Sequence, residues 1–164
     1  MLKKKIFHYL KELVFIVIFM SVVANLLSIY KSQTLNQEPL QLKEFKLIDN
    51  STYIPDPTKP IIIHFWATWC PTCKLEASNI EYLSQYYNVI TIAVNSGSDY
   101  EIHNYLQEHD LHFKVVNDKN SQLSKLFKIQ AYPTTFIYDA KQNLRFSEVG
   151  YTSTLGLFIR MFFI

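Results

Sequence analysis

The sequence predicts an α/β domain, a central mixed sheet flanked by helices, preceded by an N-terminal hydrophobic helix. Three observations predict it. From Ile61 onward, β-branched runs of strand length alternate with segments of helical spacing. The run Ile61-Ile62-Ile63-His64-Phe65 is continuous enough to be buried on both faces, as a central parallel strand is. Leu13 to Tyr30 runs eighteen residues without a charge, close to the ~17–20 that cross a bilayer.

The elements follow in chain order. Residues 1–12 form a basic segment with Lys3, Lys4, Lys5 and Lys11. A lysine block before an apolar run favours a cytoplasmic N-terminus, so residues 13–30 read as a transmembrane signal-anchor and the remainder as exported. A cleaved signal peptide is the competing reading, since Val22-Val23-Ala24 offers small residues at a cleavage position. The apolar run continues through Leu26, Leu27 and Ile29, further than a short signal core needs, which favours the retained anchor. Residues 31–39 are polar and read as a linker. The domain proper is expected over residues 40–164. Leu40, Leu42, Phe45, Leu47 and Ile54 flank Asp49-Asn50-Ser51, the pattern of a β-hairpin. Strand 61–65 leads into a helix from Cys73 to about Tyr86. Asn88 to Val94 is a second buried strand. Ser96-Gly97-Ser98-Asp99 is a turn and helix cap, before a stripe of Ile102, Tyr105 and Leu106. Phe113 to Val116 is a short strand, and Asn120 or Ser121 caps a small helix carrying Leu123, Leu126 and Phe127. Thr134–Tyr138 and Leu144–Val149 flank a hairpin turn at residues 139–143, and Thr152 to Ile164 is a last, apolar helix. From strand 61–65 onward the order is βαβαβαββα, a parallel core with an antiparallel edge.

Composition narrows the function. The chain has 164 residues, 49% of them hydrophobic, enough apolar material for one core. Its net charge of +2 belongs to the N-terminus: residues 1–30 carry +3 and residues 31–164 carry −1. The exported part shows no basic stripe, so nucleic acid is excluded as a partner. Cys70 and Cys73 are the only cysteines. They sit two residues apart where a strand turns into a helix, the context of a redox motif. At a helix N-terminus the free N–H groups and the macrodipole favour an anion, so Cys70 reads as the attacking thiolate. Cys73, one turn further in, reads as the resolving thiol. Pro71 suits the first turn, where its missing N–H costs nothing. Haem attachment would need His after the second cysteine, and Lys74 stands there. A structural zinc site takes four ligands, and there is no second cysteine pair.

The stretch Phe65-Trp66-Ala67-Thr68-Trp69-Cys70-Pro71-Thr72-Cys73-Lys74 resembles the active-site region of the TlpA-like branch of the thioredoxin superfamily, which includes the DsbE type. The later stretches Tyr132-Pro133-Thr134-Thr135-Phe136-Ile137 and Gly150-Tyr151-Thr152-Ser153 are most similar to the suppressor of copper sensitivity D type. The resemblance covers about residues 40–164. It implies the thioredoxin fold, with the N-terminal hairpin as an addition to it. It implies that Cys70 and Cys73 form the redox-active disulfide, and that Pro133 is a cis proline opposite Cys70. In that family the cis proline exposes the preceding backbone to an incoming polypeptide and keeps metal off the thiols. Trp69, Pro71, Thr72, Tyr132 and Thr134 are the expected substrate-binding residues, and Trp66 is expected to pack beneath the motif. His64 stands where thioredoxin itself carries a buried Asp. It reads either as a proton relay to Cys73 or as a neutral core histidine. Glu76 matches a Cys-x-x-Cys-Lys-x-Glu pattern of the branch, and reads either as a second relay group or as a solvated helix residue. His103, His109 and His112 read as surface residues.

The implied function is thiol–disulfide exchange with protein substrates on the periplasmic face of the inner membrane, with an electron-transfer partner in that membrane. Cytochrome c maturation and copper tolerance are the settings the resemblance suggests. No cofactor or metal is called for. The reading from a different class is a copper-binding module that holds Cu(I) on the two thiols, since soft thiolates suit that ion.

Overall fold

The computed structural model describes residues 2–164. Met1, the first residue of the expected basic segment, lies outside the described residues, as do the side chains of residues 2–6, Lys3, Lys4 and Lys5 among them.

The central strand β3 (Ile61–Trp66) is buried at every position. It pairs in parallel with β4 (Asn88–Val94) and antiparallel with β6 (Thr134–Tyr138), so that His64 stands between Thr91 and Thr135. Outside these lie β5 (Lys114–Asp118), parallel to β4, and β7 (Leu144–Val149), antiparallel to β6. The sheet order is β5-β4-β3-β6-β7. A separate hairpin, β1 (Phe45–Lys46) with β2 (Thr52–Tyr53), precedes it. This is the thioredoxin fold.

Strand alternation sorts β3 between two cores. Ile62 and Trp66 enter one face with Cys70, Cys73, Ile80 and Leu83, covered by α2 (Pro71–Ser84), α3 (Asp99–Glu108) and α5 (Thr154–Phe162). Ile61, Ile63 and Phe65 enter the other with Phe45, Phe127 and Phe136, beside α4 (Gln122–Leu126). There Phe65 packs against Phe127 and Phe136, with ring centroids 5.0 and 5.9 Å away.

Local chemistry explains the helix starts. Ser98 and Glu101 form a capping box at α3. At α4 the expected cap fails: Ser121 is in the left-handed region (φ 56°) and its side chain makes no capping bond. The Asp118 carboxylate, from the end of β5, accepts the Leu123 and Ser124 N–H groups instead, at 3.0 and 2.8 Å.

The N-terminal helix α1 (Leu2–Ser32) continues past both expected boundaries of the anchor. From Phe7 to Ser32 it is long and apolar enough to cross a membrane. Its C-terminal turns touch the domain. Ser28 Oγ donates to Glu148 Oε2 (3.0 Å) and accepts the Val149 N–H (2.9 Å) of edge strand β7. Arg160 Nη2 of α5 reaches Asn25 Oδ1 at 3.5 Å. The stretch expected as a linker is docked as well. Leu35 is buried in the Phe45–Phe65 core, the Asn36 N–H donates to the Phe127 carbonyl, and the Leu40 N–H to the Gln142 carbonyl. Leu35 and Leu40 are apolar enough to pin an otherwise polar stretch.

Candidate active site

Strand β3 delivers the chain to a tight turn, where the Cys70 N–H donates to the Ala67 carbonyl at 3.1 Å. Cys70 is the N-cap of α2, with extended backbone (φ −88°, ψ 114°), and Pro71 follows in the first turn. The Cys73 N–H donates to Cys70 Sγ at 3.2 Å. A helix N–H thus points at the Cys70 sulfur, at the end of the helix where the dipole favours an anion. Both thiols are buried and unlinked, Cys73 the deeper. Burial pushes the Cys73 thiol well up from its ordinary range, and the Cys70 hydrogen bond and the charges of Cys70 and Glu76 push the same way.

The Tyr132–Pro133 peptide bond is cis. Its loop lies against the motif: the Tyr132 ring meets Trp69 edge-on at 5.7 Å. Trp69 is exposed and its indole N–H donates to the Asn95 carbonyl at 3.1 Å. Pro71 is exposed and Thr72 and Tyr132 are half-buried, so these three and Trp69 remain accessible, whereas Pro133 itself is buried. Thr134 does not join them. It is fully buried in β6, and its hydroxyl donates to the Ala131 carbonyl at 2.7 Å, closing the loop from within. Trp66 lies beneath the motif against Tyr105 and Phe113.

His64 is buried, with Nδ1 hydrogen-bonded to Thr135 Oγ1 at 2.9 Å. Burial lowers its pKa to about 3, so the ring is neutral at physiological pH. Glu76 is not a solvated residue. It is wholly buried on the α2 stripe that carries Cys73, Ile80 and Leu83. Its Oε1 accepts the Thr152 N–H at 3.1 Å, and Oε2 has no partner. Burial, with a contribution from the Glu148 charge, pushes its carboxyl up to about 8. The spacing of three residues from Cys73 is the signal that sets Glu76 on the inner stripe. Thr135 and Asn95 carry no such signal; they enter through strand register and loop path. His103, His109 and His112 are exposed. Among the described residues no three metal-ligating side chains converge.

The sequence pattern of the AhpC/TSA family matches residues 33–147. The chain belongs to the AhpC/TSA family. Relatives include a thioredoxin-like protein of Haemophilus influenzae, 33% identical over 109 residues (66% of this chain, 65% of the relative). The thiol-disulfide oxidoreductase ResA of Oceanobacillus iheyensis is 32% identical over 96 residues (56% of this chain, 48% of ResA). The chain therefore spans about half to two thirds of the length of these curated relatives. Among solved structures, StoA from Bacillus subtilis superposes with a TM-score of 0.66 at 21% identity, covering 76% of this chain and 98% of StoA. The exposed lipoprotein thioredoxin Etrx1 of Streptococcus pneumoniae also gives 0.66, at 20% identity (74% of this chain, 98% of Etrx1). These structures share the fold with this AhpC/TSA member.

Proposed function

We propose that the chain is a membrane-anchored, extracytoplasmic thiol–disulfide oxidoreductase acting on protein substrates. The observation that carries the reading is the Cys73 N–H donating to Cys70 Sγ at the start of α2. Cys70, as thiolate, attacks one sulfur of a substrate disulfide. A Cys70–substrate bond forms, the substrate S–S bond breaks, and the leaving sulfur takes a proton. Cys73 then loses its proton and attacks Cys70 Sγ. The mixed disulfide breaks, the substrate leaves as a dithiol, and Cys70–Cys73 becomes a disulfide. The substrate gains two electrons and two protons. Run backwards, the same steps install a disulfide, and the reduction potential of the pair sets the direction. Trp69, Pro71, Thr72 and Tyr132 form the docking rim, and the buried Pro133 backs it. Glu76 and neutral His64 relay the Cys73 proton.

In this reading α1 is the inner-membrane anchor, the lysines keep the N-terminus in the cytoplasm, and the domain works in the periplasm. A membrane electron donor or acceptor regenerates the pair. The likeness to ResA, a thiol-disulfide oxidoreductase, supports exchange chemistry, and the suppressor of copper sensitivity D resemblance suggests substrates damaged under copper stress. The test is trapping. Cys73→Ala should accumulate mixed disulfides through Cys70, seen as reductant-sensitive adducts on gels, and Cys70→Ala should not. An unadducted Cys73→Ala, together with no insulin reduction by the wild type and tight Cu(I) binding, would replace exchange with the copper-module reading.

A further inference from the structure

We infer that α5 is a membrane-surface helix whose outer apolar stripe rests in the boundary of the bilayer that α1 crosses. The inference rests on reading α1 as an anchor. Helix α5 has two apolar faces, and the domain uses one of them. Leu157 and Met161 point inward and are buried. Leu155, Ile159, Phe162 and Phe163 are 69%, 49%, 84% and 67% exposed. Steps of four and three residues set Leu155, Ile159 and Phe162 on one side of the helix, with Phe163 adjacent. Phe158 carries the patch to Tyr82 and Tyr86, at 5.9 and 6.4 Å, and tyrosine suits the membrane–water boundary. The one charged side chain on α5 is Arg160, whose Nε donates to Glu148 Oε1 at 2.6 Å. No unpaired side-chain charge on the helix opposes contact with lipid.

The occupant follows from where α5 is held. Arg160 reaches Asn25 of α1, and its ion-pair partner Glu148 accepts the Ser28 hydroxyl. The uncharged run Leu13–Tyr30 is eighteen residues long, about the minimum that spans the hydrocarbon. Its end therefore cannot be withdrawn without drawing charge into the hydrocarbon. A domain standing clear of the membrane with Asn25 in water would leave only twelve uncharged residues, Leu13–Ala24, and a full span would have to take in Lys11 and Glu12. Asn25 lies five residues inside the run, about 7.5 Å at ~1.5 Å per residue. Helix α5, tied to Asn25, is carried down with it, within the ~5–10 Å to which surface helices sink.

The experiment uses the full chain with Cys70 and Cys73 changed to Ser and one new cysteine, at Phe162→Cys, Tyr100→Cys or Val17→Cys. Each is labelled with bimane and reconstituted into phosphatidylcholine vesicles containing doxyl-labelled lipid. Tyr100 is exposed at the start of α3, and Val17 is mid-span. Val17→Cys and Phe162→Cys should lose most of their emission to the doxyl lipid, and Tyr100→Cys should keep it. Leu155→Cys, at the other end of the stripe, should follow Phe162→Cys. If both α5 sites keep their emission while Val17→Cys is quenched, the anchor stands and the inference is overturned. If crosslinking in native membranes also joins those sites to another protein, the stripe is a protein interface. An unquenched Val17→Cys removes the anchor reading, and the inference with it.

Discussion

Glu76→Gln tests the buried carboxyl most directly. In the folded chain the Glu76 pKa is raised from 4.5 to about 8. A raised pKa means that the folded state holds the proton more tightly than the unfolded chain does. The stability this contributes is complete below 4.5 and is lost as pH rises through 8. At ~1.36 kcal/mol per unit, the loss between pH 4.5 and pH 7 is about 3 kcal/mol. His64 works in the opposite sense. Its pKa falls from 6.5 to about 3, so its stabilisation is complete above 6.5 and is lost as pH falls through 3. Between pH 4.5 and 6.5 the two slopes oppose and nearly cancel, which leaves a plateau. Above 6.5 Glu76 alone acts, and wild-type stability should decline. Glu76→Gln keeps the volume and an acceptor for the Thr152 N–H but does not titrate. Its stability should climb up to pH 6.5 and then stay level. The assay is urea unfolding of the reduced chain in detergent, followed by the fluorescence of buried Trp66 at half-unit steps from pH 4 to 8.5. A variant and wild type that run parallel across pH 5–8 would refute the assignment of a raised carboxyl to Glu76.

Two further outcomes concern single hydrogen bonds. Thr135→Val removes the one partner of His64 Nδ1; a buried polar atom left bare costs about 1–3 kcal/mol, read as a lower urea midpoint, and an unchanged midpoint counts against the bond. Asp118→Ala strips the acceptor from two N–H groups of α4 and should cost about 1–2 kcal/mol, with faster amide exchange at Leu123 and Ser124; unchanged exchange there would show that the α4 cap lies elsewhere.

Much of the sheet was legible because its strands are short β-branched runs bounded by turn residues. Ile61–Phe65 and Asn88–Val94 needed no tertiary information to be seen as buried strands. The cysteine pair was legible through its place between strand and helix. What escaped the sequence depends on distant partners. The cap of α4 is Asp118, three residues before Ser121, and its role follows from a left-handed turn that propensity does not reveal. Thr134 looks like a loop residue beside Pro133, yet strand register buries it between Phe65 and Val149. Residues 31–39 are polar enough to read as free chain, and the burial of Leu35 and Leu40 with the Asn36 backbone bond reverses that. Glu76 reads as a solvated residue from its charge alone, although its spacing from Cys73, Ile80 and Leu83 sets it on the buried stripe.

The docked segment behind α1 bears on how far the domain can reach. Nine unattached residues from Lys31 to Pro39 would let it roam about 15–18 Å. Leu35, Asn36 and Leu40 instead lash that stretch to α4 and the β6–β7 turn. On the proposed anchor there is no leash: the thiols stand at a fixed height above the lipid and face a fixed direction. Such a domain cannot search the compartment. Its clients must come within reach of one stationary rim, and the proposed electron-transfer partner in the same membrane, whether donor or acceptor, would meet it by lateral diffusion in two dimensions.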